Sequence, residues 1–143
     1  MSFPFNVRVY GILLERGAVL LSSETYRGRD FTKFPGGGLE FGEGLKDALV
    51  REFMEETGLE VKVVNHIYTT DFFQESAFNP AHQVISVYYQ VAFPKPVHRL
   101  TTILSKEAHQ KFNWVDLEAL QPEMVTFPID KYLIEEVLPA LSR

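Results

Sequence analysis

Between Gly37 and Leu59 the chain reads GGLEFGEGLKDALVREFMEETGL, a stretch that can fold in few ways. Leu45, Leu49 and Phe53 recur at the spacing of a buried helical stripe and predict a helix from about Gly44 to Thr57. Gly58 suits the left-handed residue that ends a helix. The other face of this helix breaks local rules, because Glu52, Glu55 and Glu56 share one sector within a turn. Glu52 and Glu56 form a like-charge i,i+4 pair, and Glu55 and Glu56 lie in the last turn, where the helix dipole favours cations. Two carboxylates about 6 Å apart repel by roughly 3 kcal/mol at an effective dielectric near 20. A sequence that accepts these penalties together has something positive to hold there, and a divalent metal is the obvious candidate. The acidic sector adjoins the apolar stripe, so the acids are expected at the floor of a cleft, on a rigid element.

The flanking segments supply a sheet. Val7–Leu14 reads as a strand, Glu15-Arg16-Gly17 as a turn, and Ala18–Leu21 as the returning strand of a hairpin. Tyr26–Asp30 reads as a polar loop leading into Phe34-Pro35-Gly36-Gly37-Gly38, where three successive glycines mark unusual dihedrals or the close approach of a partner. Leu59–Phe73 is mostly β-like, Gln83–Phe93 is a strong strand, and Pro94–Gln110 is a long loop. Phe112–Val115 reads as a short strand followed by a helical turn from Asp116. Thr126-Phe127-Pro128 opens a last helix with proline at its first position; Ile129, Leu133, Ile134, Val137 and Leu138 form its apolar face, and Pro139 is expected to end it. The 143 residues suit a single domain, 1–143, with no internal repeat or linker.

Composition narrows the chemistry. There is no cysteine, which excludes a disulfide framework, a thiolate nucleophile and a Cys-based zinc site. The four histidines are scattered without a ligand spacing. Fourteen basic against 19 acidic side chains leave a net charge of −5, which argues against a surface for polymeric nucleic acid. A small phosphorylated ligand stays open, since a bound cation reverses the local sign. No stretch approaches the roughly 18 apolar residues of a membrane span, and Met1–Asn6 lacks the pattern of a signal peptide. A soluble, cytoplasmic protein is the expectation.

The full spacing is Gly37-x5-Glu43-x7-Arg51-Glu52-Phe53-x-Glu55-Glu56-x-Gly58-Leu59. It resembles the Nudix box, G-x5-E-x7-R-E-U-x-E-E-x-G-U with U a bulky apolar residue, and all seven invariant polar and glycine positions match. Phe53 stands where Ile, Leu or Val is more usual. The resemblance implies an α/β/α sandwich with a central mixed sheet, in which the box forms loop–helix–loop. It also implies Mg²⁺- or Mn²⁺-dependent hydrolysis of a nucleoside diphosphate linked to another group. By position Glu52, Glu55 and Glu56 would carry the metal, with Glu43 as a further contributor. Arg51 would orient the glutamates, and the Gly36–Gly38 backbone, at Gly37, would supply a carbonyl to the metal. Homodimers are common in the family.

The residues read independently agree with that chemistry. Hard cations held by carboxylates neutralise phosphate charge and lower the pKa of a bound water. For the general base, Glu52 is the candidate inside the box and Glu107 the preferred one outside it, ahead of Glu75 and Asp71. Arg27 and Arg29, just before the glycines, are candidates for a phosphate contact or are simply solvated. Most of Phe72, Phe73, Phe78, Tyr88 and Tyr89 are expected in the core, with one or two free to stack on a base. Neither the proline of ADP-ribose enzymes nor the tyrosine of dinucleoside polyphosphate enzymes stands downstream of the box; Glu75-Ser76-Ala77 occupies that region. Leu20–Glu24 likewise has glutamate where the coenzyme A pattern of the family wants arginine. A nucleoside triphosphate or a nucleotide sugar is the expected substrate. The competing reading is a domain that senses a nucleotide without cleaving it; such domains commonly have eroded box glutamates, and all four are present here.

Overall fold

The structure, a computed structural model, describes residues 2–141. Its centre is β1 (Phe5–Glu15), which reverses through Arg16-Gly17 into β2 (Ala18–Tyr26). A second tight turn, Arg27-Gly28, leads to β3 (Arg29–Lys33). Both turns are two-residue loops with φ positive at each residue (48° and 77°; 52° and 74°), the geometry whose twist matches that of the flanking strands. Residues 26–30, read as a loop, are therefore a hairpin: the Arg-Gly pair gives no strong hairpin signal by itself, but cross-strand pairing from Ser22–Lys33 to Tyr26–Arg29 closes it.

A second correction concerns the glycines. Gly36–Gly38 form a strand, β4, paired antiparallel with Arg8–Tyr10 of β1. Glycine is a poor strand former, yet Gly36 has φ of 148° and an added Cβ would lie 2.1 Å from the Val9 carbonyl oxygen, so no side chain fits there. After α1 (Leu45–Thr57) come β5 (Lys62–Thr69), β6 (Gln83–Ala92) and β7 (Gln110–Asp116). The seven strands run in the order β3-β2-β1-β6-β5, with β4 paired to β1 and β7 to β2. β1 and β6 are parallel over nine residue pairs, whereas the other neighbours are antiparallel, so the sheet is mixed.

Alternation along the strands sends side chains to two cores. On one face Val9, Leu13, Leu20, Val87 and Val91 pack against Leu49 and Phe53 of α1. On the other, Tyr10, Ile12, Val19, Leu21 and Tyr88 pack against the C-terminal helix through Ile129, Leu133 and Ile134. That helix runs as α2 (Pro128–Tyr132), a π-helical turn (Leu133–Val137) and α3 (Leu138–Leu141). Pro139 does not end it. The Leu138 N–H bonds to the Leu133 carbonyl, five residues back, and a widened turn just before a proline relieves the clash of its ring with the preceding turn. The result is the α/β/α sandwich expected from the sequence.

Candidate active site

Helix α1 presents its acids through its own geometry and one close approach. Gly58 takes φ of 74° and its N–H caps the Met54 carbonyl at 2.9 Å, fixing the last turn that carries Glu55 and Glu56. Glu52 lies against β4, where a Cβ on Gly37 would fall 2.5–2.7 Å from its carboxylate carbon and oxygens. Only glycine lets the helix and the strand come this close.

Arg51 organises the acids. It donates to Glu43 through Nε and Nη2 at 2.9 and 2.7 Å, and to the Gly38 carbonyl at 3.1 Å. Its Nη1 donates to one oxygen of Glu52 and one of Glu55, each at 3.1 Å. Glu43 also accepts the Glu40 N–H at 2.8 Å, and the hydrogen bonds from Arg51 and then Glu40 hold its carboxyl below the usual range. Burial raises the Glu52 carboxyl, against the opposing pull of Arg51.

Glu56 stands apart from this fork. Its Oε1 accepts the Gln110 amide at 2.7 Å, while Oε2 is buried without a partner among the described residues. Burial pushes its carboxyl up to about 7, despite Lys33 and Gln110, which favour the charged form. Lys33 is buried and pairs with Glu24 at 3.0 Å. Burial alone would lower its pKa, but Glu24, Tyr10 and Glu56 outweigh that and raise it. Gln110 bridges Glu56, Glu24 (3.3 Å) and Ser22 (2.9 Å).

These groups lie at one end of a cleft of about 670 Å³. Glu52, Glu55, Glu56 and Glu107 line it together, although Glu107 stands 51 residues beyond Glu56 in the chain. Glu107 is an exposed residue of the loop before β7, its N–H held by Ser105 Oγ at 2.9 Å. Glu75 lines the cleft farther along, whereas Asp71 lies outside the lining and accepts the Tyr68 hydroxyl. Glu43 and Gly37 support the site from behind rather than lining it.

Arg27 and Arg29 sit on the β2–β3 hairpin outside the lining. Arg27 covers the ring of Tyr26, and Arg29 the ring of Phe78, each 5.0 Å from the centroid. The lysine and arginine that face the cleft are Lys33 and Arg8, which the sequence reading missed. Neither has a motif around it. Lys33 arrives through its register opposite Ser22, Arg8 through its place opposite Gly38, and Gln110 through its place opposite Glu24. Of the aromatics, Tyr88 and Tyr89 are buried, Phe72 and Phe73 are exposed, and Phe78 lines the cleft.

A family model described as the NUDIX domain matches residues 3–136. The chain belongs to the NUDIX family. The enzyme class read from the box, a Nudix pyrophosphohydrolase, agrees with that membership. Its fold is also that of a MutT protein from Methanosarcina mazei (22% identity, TM-score 0.77, 100% of this chain and 99% of that one covered). The ORF135 protein of E. coli (24%, TM-score 0.75, 99% and 93%) and a NUDIX hydrolase from Nitrosomonas europaea (25%, TM-score 0.67, 98% and 91%) are similar as well. Among the described residues, no helix is long and apolar enough to cross a membrane.

Proposed function

We propose that this NUDIX chain hydrolyses a pyrophosphate bond of a nucleotide, a nucleoside triphosphate or a nucleotide sugar, with Mg²⁺ or Mn²⁺ as cofactor. The observation that carries this reading is the buried, unpartnered Oε2 of Glu56 at the acidic end of the cleft. An orphaned carboxylate oxygen is costly unless a ligand completes it, and an all-oxygen donor set is what a hard divalent cation prefers. Among the described residues no three acids stand ready as a closed ligand set, since Arg51 takes one oxygen each of Glu52 and Glu55. It leaves their other oxygens available, so Glu52, Glu55 and Glu56 fit the group as holders, with Glu43 and the Gly37 backbone behind them.

When bound, the cation would neutralise phosphate charge and acidify a coordinated water. The chain's own residues do the rest. Arg51 keeps the carboxylates in register, while Arg8 and Lys33 face the cleft as phosphate partners. Arg27 and Arg29 lie near the cleft only through Tyr26 and Phe78, and any phosphate contact of theirs is at its rim. Glu107 lines the cleft from the loop that is tied to the end of α1, a segment outside the box, which suits a proton acceptor for the attacking water.

The test is release of phosphate or pyrophosphate from a pooled set of nucleoside triphosphates and nucleotide sugars, with and without Mg²⁺. Turnover should require the metal, fall by about 100-fold or more in Glu56→Gln and Glu55→Gln, and fall by roughly 100- to 10,000-fold in Glu107→Gln if it is the base. Tight nucleotide binding with no turnover on the whole set would instead favour a sensing domain.

A further inference from the structure

Gln110 is a buried amide, 7% exposed, at the first position of β7, and it serves three separate segments at once. Its Nε2 donates to Glu56 Oε1 of α1 at 2.7 Å, and to Ser22 Oγ and Glu24 Oε2 of β2 at 2.9 and 3.3 Å. Its Oε1 accepts the Ser105 hydroxyl at 2.9 Å, and Ser105 Oγ in turn accepts the Glu107 N–H at 2.9 Å. The orientation of the amide is forced. Two carboxylates stand on one side and require the donor end there, so the carbonyl end faces Ser105. With its proton directed at Gln110, the Ser105 oxygen has only lone pairs left for Glu107. All the bonds therefore run one way, from the Glu107 main chain through Ser105 and Gln110 to the Glu56 carboxylate, an arrangement in which each bond polarises the next.

Glu56 holds the same loop a second time. Its main-chain carbonyl accepts the Lys106 N–H at 2.8 Å. The Lys106 side chain crosses the end of α1 at Gly58, where an added Cβ would lie 2.8 Å from its Cε. The last turn of α1 has no basic residue of its own, so Lys106 brings a cation to the helix terminus that favours one. Glu56 is thus bound to the segment 105–110 by its main chain and by its side chain. A glutamine that merely closed β7 onto β2 would need none of this, because pairing from Ala18–Asp116 to Glu24–Gln110 already joins those strands. Gln110 also takes one oxygen of the Glu56 carboxylate, and so fixes which oxygen is left over.

We propose that Gln110 is a positioning residue that holds the Glu56 carboxylate and the loop bearing Glu107 in one register. Its amide nitrogen sets the rotation of the Glu56 carboxylate, and its oxygen, through Ser105, sets the place of the Glu107 main chain. What the register serves, a cation at Glu56 and a proton acceptor at Glu107, rests on the hydrolase reading above. The register itself does not, and it can be tested without hydrolysis.

The two ends of the relay can be cut separately in the isotope-labelled full chain. Gln110→Leu should weaken Mn²⁺ binding, followed by electron paramagnetic resonance, by about 10- to 100-fold. It should also displace the Glu107 amide resonance, two bonds away along the relay, and speed its hydrogen exchange about fivefold. Ser105→Ala should free the Glu107 amide equally while Mn²⁺ affinity stays within about twofold, since the Glu56 end is intact. Glu56→Ala, which keeps the main-chain bond to Lys106, should displace the Glu107 amide in an otherwise wild-type chain and not in Gln110→Leu. On any nucleotide of the pooled set that is turned over, Gln110→Leu and Ser105→Ala should lower kcat by about tenfold or more at saturating Mg²⁺, with KM little changed. Unchanged Mn²⁺ affinity in Gln110→Leu, or a Glu107 amide that ignores Gln110→Leu or Glu56→Ala, would overturn the proposal. So would a loss of Mn²⁺ affinity in Ser105→Ala equal to that in Gln110→Leu. Ser105 is half-buried in a loop, so its variant and Glu56→Ala decide the outcome even if Gln110→Leu folds poorly. Absence of Mn²⁺ binding or of turnover from the wild-type chain, with the amide responses as expected, would overturn the hydrolase reading and leave the register standing.

Discussion

At Gly37 the absence of one carbon decides where the Glu52 carboxylate can sit. A methyl group there would fall within 2.7 Å of both Glu52 oxygens, and Glu52 in turn shares the Arg51 fork with Glu55. Gly37→Ala should therefore lower metal-dependent turnover by about 10- to 100-fold while the melting temperature changes little, as steady-state kinetics beside a thermal melt will show. Glu56 and Asp130 are raised by burial from 4.5 and 3.8 to about 7 and about 6. The folded chain thus keeps protons that the unfolded chain has released, so this stabilisation is complete below about pH 4 and is lost as pH rises through about 6 and then 7. The melting temperature in EDTA should fall between pH 5.5 and 8. Glu56→Gln should flatten the upper part of that slope, and Mg²⁺ should oppose it by favouring the charged carboxylate. Glu43, held low by Arg51, contributes the opposite sign only at more acid pH.

Among the elements, α1 and β1 are fitted to each other at Phe53 and Gly11. Phe53 is the one bulky departure from the usual box residue, and it is fully buried. A Cβ on Gly11 would stand 2.6 Å from its ring, so the larger side chain occupies space that β1 leaves open. Gly11→Ala should cost about 1–3 kcal/mol by overpacking. Combining it with Phe53→Leu should restore part of that loss, a non-additivity that a double-mutant cycle by urea unfolding will measure. The α1 stripe was legible because helical periodicity is local. β3 and β4 were not, because a two-residue Arg-Gly turn and three glycines carry propensities that only pairing partners override. Pro139 misled in the same way: the π-turn before it is a tertiary adjustment, and no local rule announces it.

For the molecule as a whole, the cleft is assembled from segments that the sequence keeps far apart. The loop between β6 and β7 is tied to α1 by Lys106 N–H to the Glu56 carbonyl at 2.8 Å, which carries Glu107 to the cleft. Gln110 then joins β7 and β2 to the Glu56 carboxylate. The sequence by itself determined the helix, its acids and the spacing that resembles the Nudix box, because each rests on short-range periodicity or fixed spacing, whereas the mixed sheet was implied only by that resemblance. Only the tertiary structure decided that Arg8 and Lys33, rather than Arg27 and Arg29, face the cleft, and that the buried Asp130 lines it and accepts the Tyr88 hydroxyl. Those placements follow from strand register and from a parallel β1–β6 pairing across more than 70 residues of chain. A lone lysine or aspartate has no local pattern from which its cross-sheet neighbours can be read.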